Sequence, residues 1–170
     1  MACNITTSQT IGPFPHEGWR WAFDSTIGAA SKGVTVVISG AVLDGDGTPI
    51  NDAVLEAWAP TVGAADGQAI PAFRRAPTGD NGEFRFELPR PDALRGEPLL
   101  YLTLFARGVL KHQFSAVFLE DDAGLAQSAL LAQVPAERRD TLIAKKTGDG
   151  QYRFDVRMQG DRETVFFDYE

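Results

Sequence analysis

From residue 34 onward the chain alternates apolar and polar positions with the two-residue period of β-strands. The clearest case is Phe84–Leu88, in which apolar side chains alternate with Arg85 and Glu87. Turn signals such as Asp44-Gly45-Asp46-Gly47 separate the apolar stretches. The pattern predicts strands over Val34–Leu43, Ala53–Trp58, Phe84–Leu88, Leu99–Ala106, Gln113–Leu119, Tyr152–Met158 and Thr164–Tyr169. Short strands in this arrangement indicate a mainly β fold, a β-sandwich.

Three regions interrupt the strand pattern. Residues 60–82 are rich in Gly, Pro and Ala and are interpreted as a connection closed by a turn at Asp80-Asn81-Gly82. Ala123–Ala132 and Ala136–Lys145 have the spacing of short helices. The sequence therefore predicts helical structure only in one late connection of the sandwich.

Residues 1–33 carry no periodic pattern and are predicted to form an N-terminal arm, so that the sandwich domain occupies residues 34–170. Irregular segments of this length in small domains tend to be functional. The arm contains Trp19, Trp21 and Phe23, whose rings are unfavourable in water. We therefore expect the arm to lie against a surface, and interfaces favour such aromatic side chains.

Length and charge narrow the classes of function. The chain has 170 residues, which suits one domain, and a formal net charge of −7. An acidic protein is a poor partner for nucleic acid or an anionic membrane. The apolar runs are too short to span a bilayer, and no signal peptide is recognisable. The only cysteine, Cys3, is compatible with a reducing compartment, so a cytoplasmic location is expected.

The residues that could carry chemistry are few. Only His16 and His112 are histidines, and no zinc-type spacing is present. His112 is expected to be a partly buried side chain satisfied by the backbone. Arg107 follows an apolar strand, where an arginine is either a structural partner of a carboxylate or an anion-binding group at the mouth of a site. Taken alone, these residues form no catalytic set.

Five segments, in order along the chain, resemble the intradiol ring-cleaving dioxygenases. They are Thr7–Phe14, Leu104–Gly108, Arg138–Lys145, Tyr152–Gly160 and Glu163–Asp168. The resemblance implies a sandwich-fold α chain that pairs with a related β chain, with the pairs assembling into a larger hetero-oligomer. It also implies a non-heme Fe(III) ion, held by the β chain, that binds a catechol and activates its ring for attack by O₂.

The resemblance also implies that the α chain itself holds no iron. The family's two histidine ligands come from a His-x-His, and counting back from Leu104–Gly108 places those positions at Leu99 and Tyr101. Neither is a histidine, and Leu99 cannot ligate a metal. Residues 66–95, where the family's tyrosine ligands would lie, contain no tyrosine. Leu99 and Tyr101 are therefore interpreted as vestigial ligand positions in a chain that is inactive alone.

The α chain of this family contributes to the pocket around its partner's iron. Carried over by motif, the pocket residues of this chain are Thr10, Gly12, Pro13, Phe14 and Arg107. Glycine lets the backbone approach a ligand closely, and Arg107 supplies positive potential for an acidic ring substituent. The family usually has tyrosine where this chain has Phe14, so a catechol with another anionic substituent, such as a sulfonate, stays open.

A second class of protein is also compatible with part of the chain. The two hairpin-like segments between Val37 and Phe86 are similar to carboxypeptidase-regulatory-like and transthyretin-like modules, which bind ligands without catalysis. That similarity covers about half of the chain and rests on generic turn chemistry. Iron content and the reddish colour of tyrosinate-bound Fe(III) in the assembled complex distinguish the two hypotheses.

Overall fold

The computed structural model describes residues 35–61 and 72–168 of the chain. Within these residues, backbone pairing defines nine strands. They are β1 (Thr35–Leu43), β2 (Val54–Trp58), β3 (Phe73–Pro77), β4 (Glu83–Pro89), β5 (Leu100–Phe105), β6 (Gln113–Leu119), β7 (Ile143–Gly148), β8 (Gln151–Arg153) and β9 (Val156–Arg157).

The strands follow one hydrogen-bonded path in the order β3-β2-β5-β6-β7-β8-β1-β4, with β9 paired to β1. Most pairs are antiparallel, whereas β1 pairs with β8 and β9, and β6 with β7, in parallel. The β6–β7 junction is short, because only Phe118–Ile143 and Leu119–Ala144 are in register there. On either side of this junction the path forms the two layers of a sandwich, which confirms the predicted fold class.

The main core lies between these layers. Its buried side chains come from both of them, including Ile38 of β1 and Phe86 of β4 on one side and Leu55 of β2 and Leu102 of β5 on the other. Strand β4 has the alternation expected from its sequence, with Phe84, Phe86 and Leu88 buried. Burying a large apolar side chain contributes about 1.5–3 kcal/mol relative to its exposed state, so these alternating positions hold the layers together.

A smaller core covers β6 on its other side. Ala116 and Phe118 pack there against Leu131, Val134 and Leu142 from the late connection. That connection contains a 3-10 helix over Leu125–Gln127, helix α1 over Ala129–Ala132 and a second 3-10 helix over Ala136–Leu142. The prediction of short helices in one late connection is confirmed in kind.

Several boundaries differ from the sequence prediction, and the strand predicted over Tyr152–Met158 is divided into β8 and β9. The second helical segment ends at Leu142, and the chain continues as β7 rather than as helix to Lys145. Strand β3 lies inside residues 60–82, which were predicted to be only a connection. The predicted strand over Thr164–Tyr169 is reduced, within its described part, to one isolated bridge between Phe114 and Phe167, because Val165 and Phe167 pack against the smaller core instead.

The predicted N-terminal arm lies outside the described residues. Among the residues that are described, no helix has the length and apolar character needed to cross a bilayer.

Candidate functional site

Arg107 lies in the turn that follows β5. Its Nε is 2.8 Å from Oδ2 of Asp52, and the side chain of Asp52 is only 10% exposed. The contact is an ion pair rather than a hydrogen bond, since no described donor meets hydrogen-bond geometry at that buried oxygen. The next residue, Gly108, has φ of +84°, a conformation that side-chain-bearing residues rarely adopt. The glycine therefore permits the sharp turn that carries Arg107.

The pairing of β2 with β5 explains why Asp52 and Arg107 meet. These strands are antiparallel, with Val54 opposite Phe105. Extending the register by two residues places Asp52 opposite Arg107, on the same face of the sheet as that pair. Sequence analysis found Arg107 but missed Asp52, because no local motif links the turn before β2 to the turn after β5.

The ion pair fixes one edge of the Arg107 guanidinium and leaves the rest accessible. The side chain of Arg107 is 65% exposed although its Nε contacts a buried carboxylate. Arg107 therefore does pair with a carboxylate, which was one of its two interpretations. The pairing leaves the terminal nitrogens of the guanidinium accessible to a second anion. The terminal nitrogens keep the forked geometry that suits a second carboxylate.

Leu99 and Tyr101, the two positions interpreted as vestigial from the sequence, have different environments. Leu99 is fully buried in the main core, whereas Tyr101 is 36% exposed on β5. A metal ligand at residue 99 would have to leave the core packing that Leu99 now makes. Among the described residues, no group of three or more His, Cys, Asp or Glu side chains could hold a metal ion. The residues that the structure describes therefore do not fit an iron ion.

Tyr101 borders a groove on the exposed face of the β3-β2-β5 portion of the sheet. Trp58 lies directly opposite Tyr101 in the β2–β5 register and is 46% exposed. The groove has a volume of about 260 Å³, and its lining includes Phe73, Thr103 and Phe114. Its lining combines aromatic rings with the polar side chains of Glu56, Thr103 and Ser115, and these described residues do not form a metal-binding set.

His112 lies in a different environment from the one that the sequence predicted. It precedes β6 and is exposed, whereas the sequence predicted a partly buried histidine held by the backbone. Its ring contacts two aromatic rings, with centroids 5.6 Å from Phe105 and 4.6 Å from Phe114. The aromatic neighbours make it a packing residue at the edge of the exposed sheet face.

Four of the five predicted pocket residues, Thr10, Gly12, Pro13 and Phe14, lie outside the described residues. Only Arg107 can be placed, and the structure adds Asp52 as its partner.

Comparison with solved structures identifies the fold. The dioxygenase domain of a dioxygenase carbohydrate-binding protein fusion from Streptomyces sp. SirexAA-E aligns with a TM-score of 0.60 and 21% identity, covering 92% of this chain and 99% of that one. Catechol 1,2-dioxygenase from Acinetobacter sp. ADP1 aligns with a TM-score of 0.57 and 17% identity, covering 86% of this chain and 60% of that one. The fold is that of the ring-cleavage dioxygenases of the intradiol class, as the sequence segments predicted.

Comparison with curated sequences identifies the family within this fold. The protocatechuate 3,4-dioxygenase alpha chain of Burkholderia cepacia is 38% identical, with 96% of each chain covered. The corresponding alpha chain of Pseudomonas putida is 31% identical, again with 96% of each chain covered. No family model matches the chain. On these two relatives, the chain belongs to the protocatechuate 3,4-dioxygenase alpha chains.

Proposed function

We propose that this chain is the non-metal subunit of a cytoplasmic intradiol dioxygenase that cleaves protocatechuate with O₂ to 3-carboxy-cis,cis-muconate. The observation that carries the proposal is the similarity, over 96% of the chain, to two relatives named as alpha chains of protocatechuate 3,4-dioxygenase. The reaction belongs to aromatic catabolism, in the β-ketoadipate route. The chain takes part in it as one component of an enzyme and is inactive alone.

In this proposal the iron belongs to the partner β subunit. The α chain's vestigial positions support that division, because Leu99 is part of the core and the described residues offer no ligand set. A non-heme Fe(III) ion, when bound by the partner, supplies the Lewis acidity that favours a deprotonated catechol. The residues of this chain act on the part of the substrate that does not react.

Arg107 is the residue of this chain that suits the substrate's carboxylate. Protocatechuate carries one carboxylate away from its two hydroxyl groups, and an arginine held by Asp52 presents its free guanidinium edge in a fixed orientation. A preoriented guanidinium loses less conformational entropy when it binds an anion. The same chemistry would accept a sulfonate, so Arg107 by itself favours an anionic ring substituent in general.

The arm, residues 1–33, completes the proposal. Thr10, Gly12, Pro13 and Phe14 would line the partner's active site from the α side, and the arm would pack along the β subunit. The exposed aromatic pair Trp58 and Tyr101 supports an assembled state, since aromatic side chains are enriched in the centres of subunit interfaces.

The test is expression of this chain alone and together with the iron-bearing chain from the same source. We expect iron, the reddish colour of the tyrosinate–Fe(III) complex and cleavage of protocatechuate only in the co-expressed preparation. Stoichiometric iron and activity in the single chain would show that the vestigial positions are misinterpreted. Iron in neither preparation would favour a non-enzymatic binding module.

A further inference from the structure

A cleft of about 300 Å³ opens between the second 3-10 helix, β7, β9 and the segment after residue 160. Its lining is dominated by charged side chains, and neither Asp52, Tyr101 nor Arg107 contributes to it. The volume is at the lower end of the range for small-molecule sites. The cleft is therefore a candidate site separate from the residues that the proposed function uses.

Two of the cations in this cleft are neutralised by their neighbours. Lys145 pairs with Asp140 at 2.5 Å, and Arg153 pairs with Asp155 at 2.7 Å. The hydrogen bond that Nζ of Lys145 donates to Asp140 raises the pKa of Lys145, which keeps that pair charged over the physiological range. Neither pair leaves a charge to attract a ligand.

Three arginines of the cleft have no carboxylate partner among the described residues. They are Arg138, Arg157 and Arg162, and the acidic lining residues left unpaired are Glu137 and Asp161. Three guanidiniums against two carboxylates give a local excess of one positive charge. In a chain with a net charge of −7, that excess marks the cleft as different from the rest of the surface.

Hydrogen bonds hold two of these arginines at one wall. Nη2 of Arg138 donates to the carbonyl oxygen of Glu163 at 2.7 Å. The backbone of Arg157 is joined to Thr164 in both directions, its N–H donating to Oγ1 at 2.9 Å and its carbonyl accepting from the Thr164 N–H at 2.9 Å. Residues 163 and 164 therefore connect the side chain of Arg138, on the second 3-10 helix, to the backbone of Arg157 on β9.

Apart from the bond from Nη2 of Arg138 to Glu163, the hydrogen-bonding capacity of these guanidiniums is not used among the described residues. Nε of Arg138 is buried and has no acceptor among the described residues, which is unfavourable for a polar group. Arg157 is half-buried and Arg162 is exposed, and their side chains make no hydrogen bond or ion pair with the described residues. Unfilled donors of this kind suit the oxygens of a carboxylate or a phosphate.

We propose that the cleft between the second 3-10 helix and β9 binds a small oxyanion, with Arg157 and Arg162 as its principal contacts and Arg138 as the inner cation. The local excess of one positive charge favours an anion over a neutral ligand. Dicarboxylates and phosphates share this chemistry.

Isothermal titration of the assembled protein with cis,cis-muconate and, separately, with inorganic phosphate tests the proposal. We expect a dissociation constant below about 1 mM for at least one of the two, weakening as ionic strength rises. Binding of muconate alone identifies a carboxylate site, and binding of phosphate alone identifies a phosphate site. Binding of neither anion overturns the proposal.

Charge-removing variants locate the site. Arg162→Gln and Arg157→Gln should each weaken binding by about tenfold. Arg162 makes no contact that the fold needs, so Arg162→Gln remains informative if Arg157→Gln unfolds. The control is Arg85→Gln, which removes the same charge from an exposed position on β4 outside the cleft. Equal affinity in Arg162→Gln and the parent, or an equal loss in the control, would overturn the assignment.

Discussion

The phenol of Tyr152 donates a hydrogen bond to Oδ1 of Asp121 at 2.8 Å, which connects β8 to the turn that follows β6. The tyrosine is completely buried, and the other carboxylate oxygen of Asp121 accepts from Nζ of Lys146 at 2.7 Å. The hydrogen bond from Lys146 is the main reason why the pKa of Asp121 is lowered. Asp121 is therefore a charged acceptor for a phenol that water does not reach.

Replacing Tyr152 with phenylalanine tests the value of this bond. Tyr152→Phe leaves the ring in the core and removes only the hydroxyl, so the free energy of unfolding should fall by about 1.5–3 kcal/mol, the range for a hydrogen bond to a charged group. Denaturant unfolding measures the loss. A double-mutant cycle with Asp121→Ala isolates the pair, and a coupling energy near zero would show that the hydroxyl does not interact with Asp121.

From the hydrogen bond between Tyr152 and Asp121 we expect the protein to lose stability at alkaline pH. Burial, reinforced by the hydrogen bond to Asp121, raises the pKa of Tyr152 from 10.0 to about 12. The folded state therefore holds this proton more tightly than the unfolded state does, and the stabilisation is complete below pH 10. It should disappear as the pH rises from 10 to about 12. Between pH 10 and about 12, the free energy of unfolding should fall less steeply with pH for Tyr152→Phe than for the parent protein. Identical slopes in both proteins would contradict the prediction.

Strands with regular alternation could be predicted from the sequence, and strands with polar side chains at inward positions could not. In β3 the buried position is occupied by Arg74, whose Nε donates to the carbonyl oxygen of Glu87 at 2.9 Å. A buried arginine satisfied by backbone oxygens breaks the pattern of apolar positions. Strand β7 was missed for a related reason, because Lys145 and Lys146 occupy its exposed positions and the preceding residues favour a helical turn.

The candidate site, too, could be predicted from the sequence only in part. Arg107 could be found because it ends an apolar strand, and the interpretation of Leu99 and Tyr101 as vestigial ligand positions depended on the family resemblance. Asp52 could not be found, since its approach to Arg107 depends on the register of β2 against β5. Long-range register is a property of packing that neither turn encodes locally.

Gly40 of β1 provides a test of the close contact between β1 and the chain between β8 and β9. A Cβ at this position would lie 1.7 Å from the carbonyl oxygen of Phe154, a backbone atom that cannot rotate away. Gly40→Ala should therefore cost about 3 kcal/mol or more in unfolding free energy.

The matched control for Gly40 is Gly148→Ala, where the nearest atoms are 3.5 Å away in the side chain of Gln151. That variant should change stability by less than about 0.5 kcal/mol. Similar unfolding curves for the two alanine variants would show that β1 has more space at Gly40 than the structure indicates.

Leu99 provides a test of the vestigial metal position. Leu99→His would place a polar imidazole in the apolar main core, so we expect a loss of about 1–3 kcal/mol in unfolding free energy. Leu99→Met keeps the volume and should cost less than about 1.5 kcal/mol. If Leu99→His were as stable as the parent and bound iron, residue 99 would be an open ligand position rather than a core residue.

Substitution of Arg107 tests the substrate contact in the assembled enzyme. Arg107→Ala should raise KM for protocatechuate by about 10-fold to 100-fold, which is the loss of one charge-assisted hydrogen bond, and should leave the iron content unchanged. Asp52→Asn should act in the same direction with a smaller effect, because it releases the guanidinium without removing it.

Unsubstituted catechol lacks the carboxylate, so its KM should be nearly equal in the parent protein and in both variants. Arg85→Ala, which removes an exposed cation from β4, controls for the change in net charge. Equal losses for protocatechuate and catechol would assign Arg107 to folding or assembly, since a contact with the carboxylate must distinguish the two substrates.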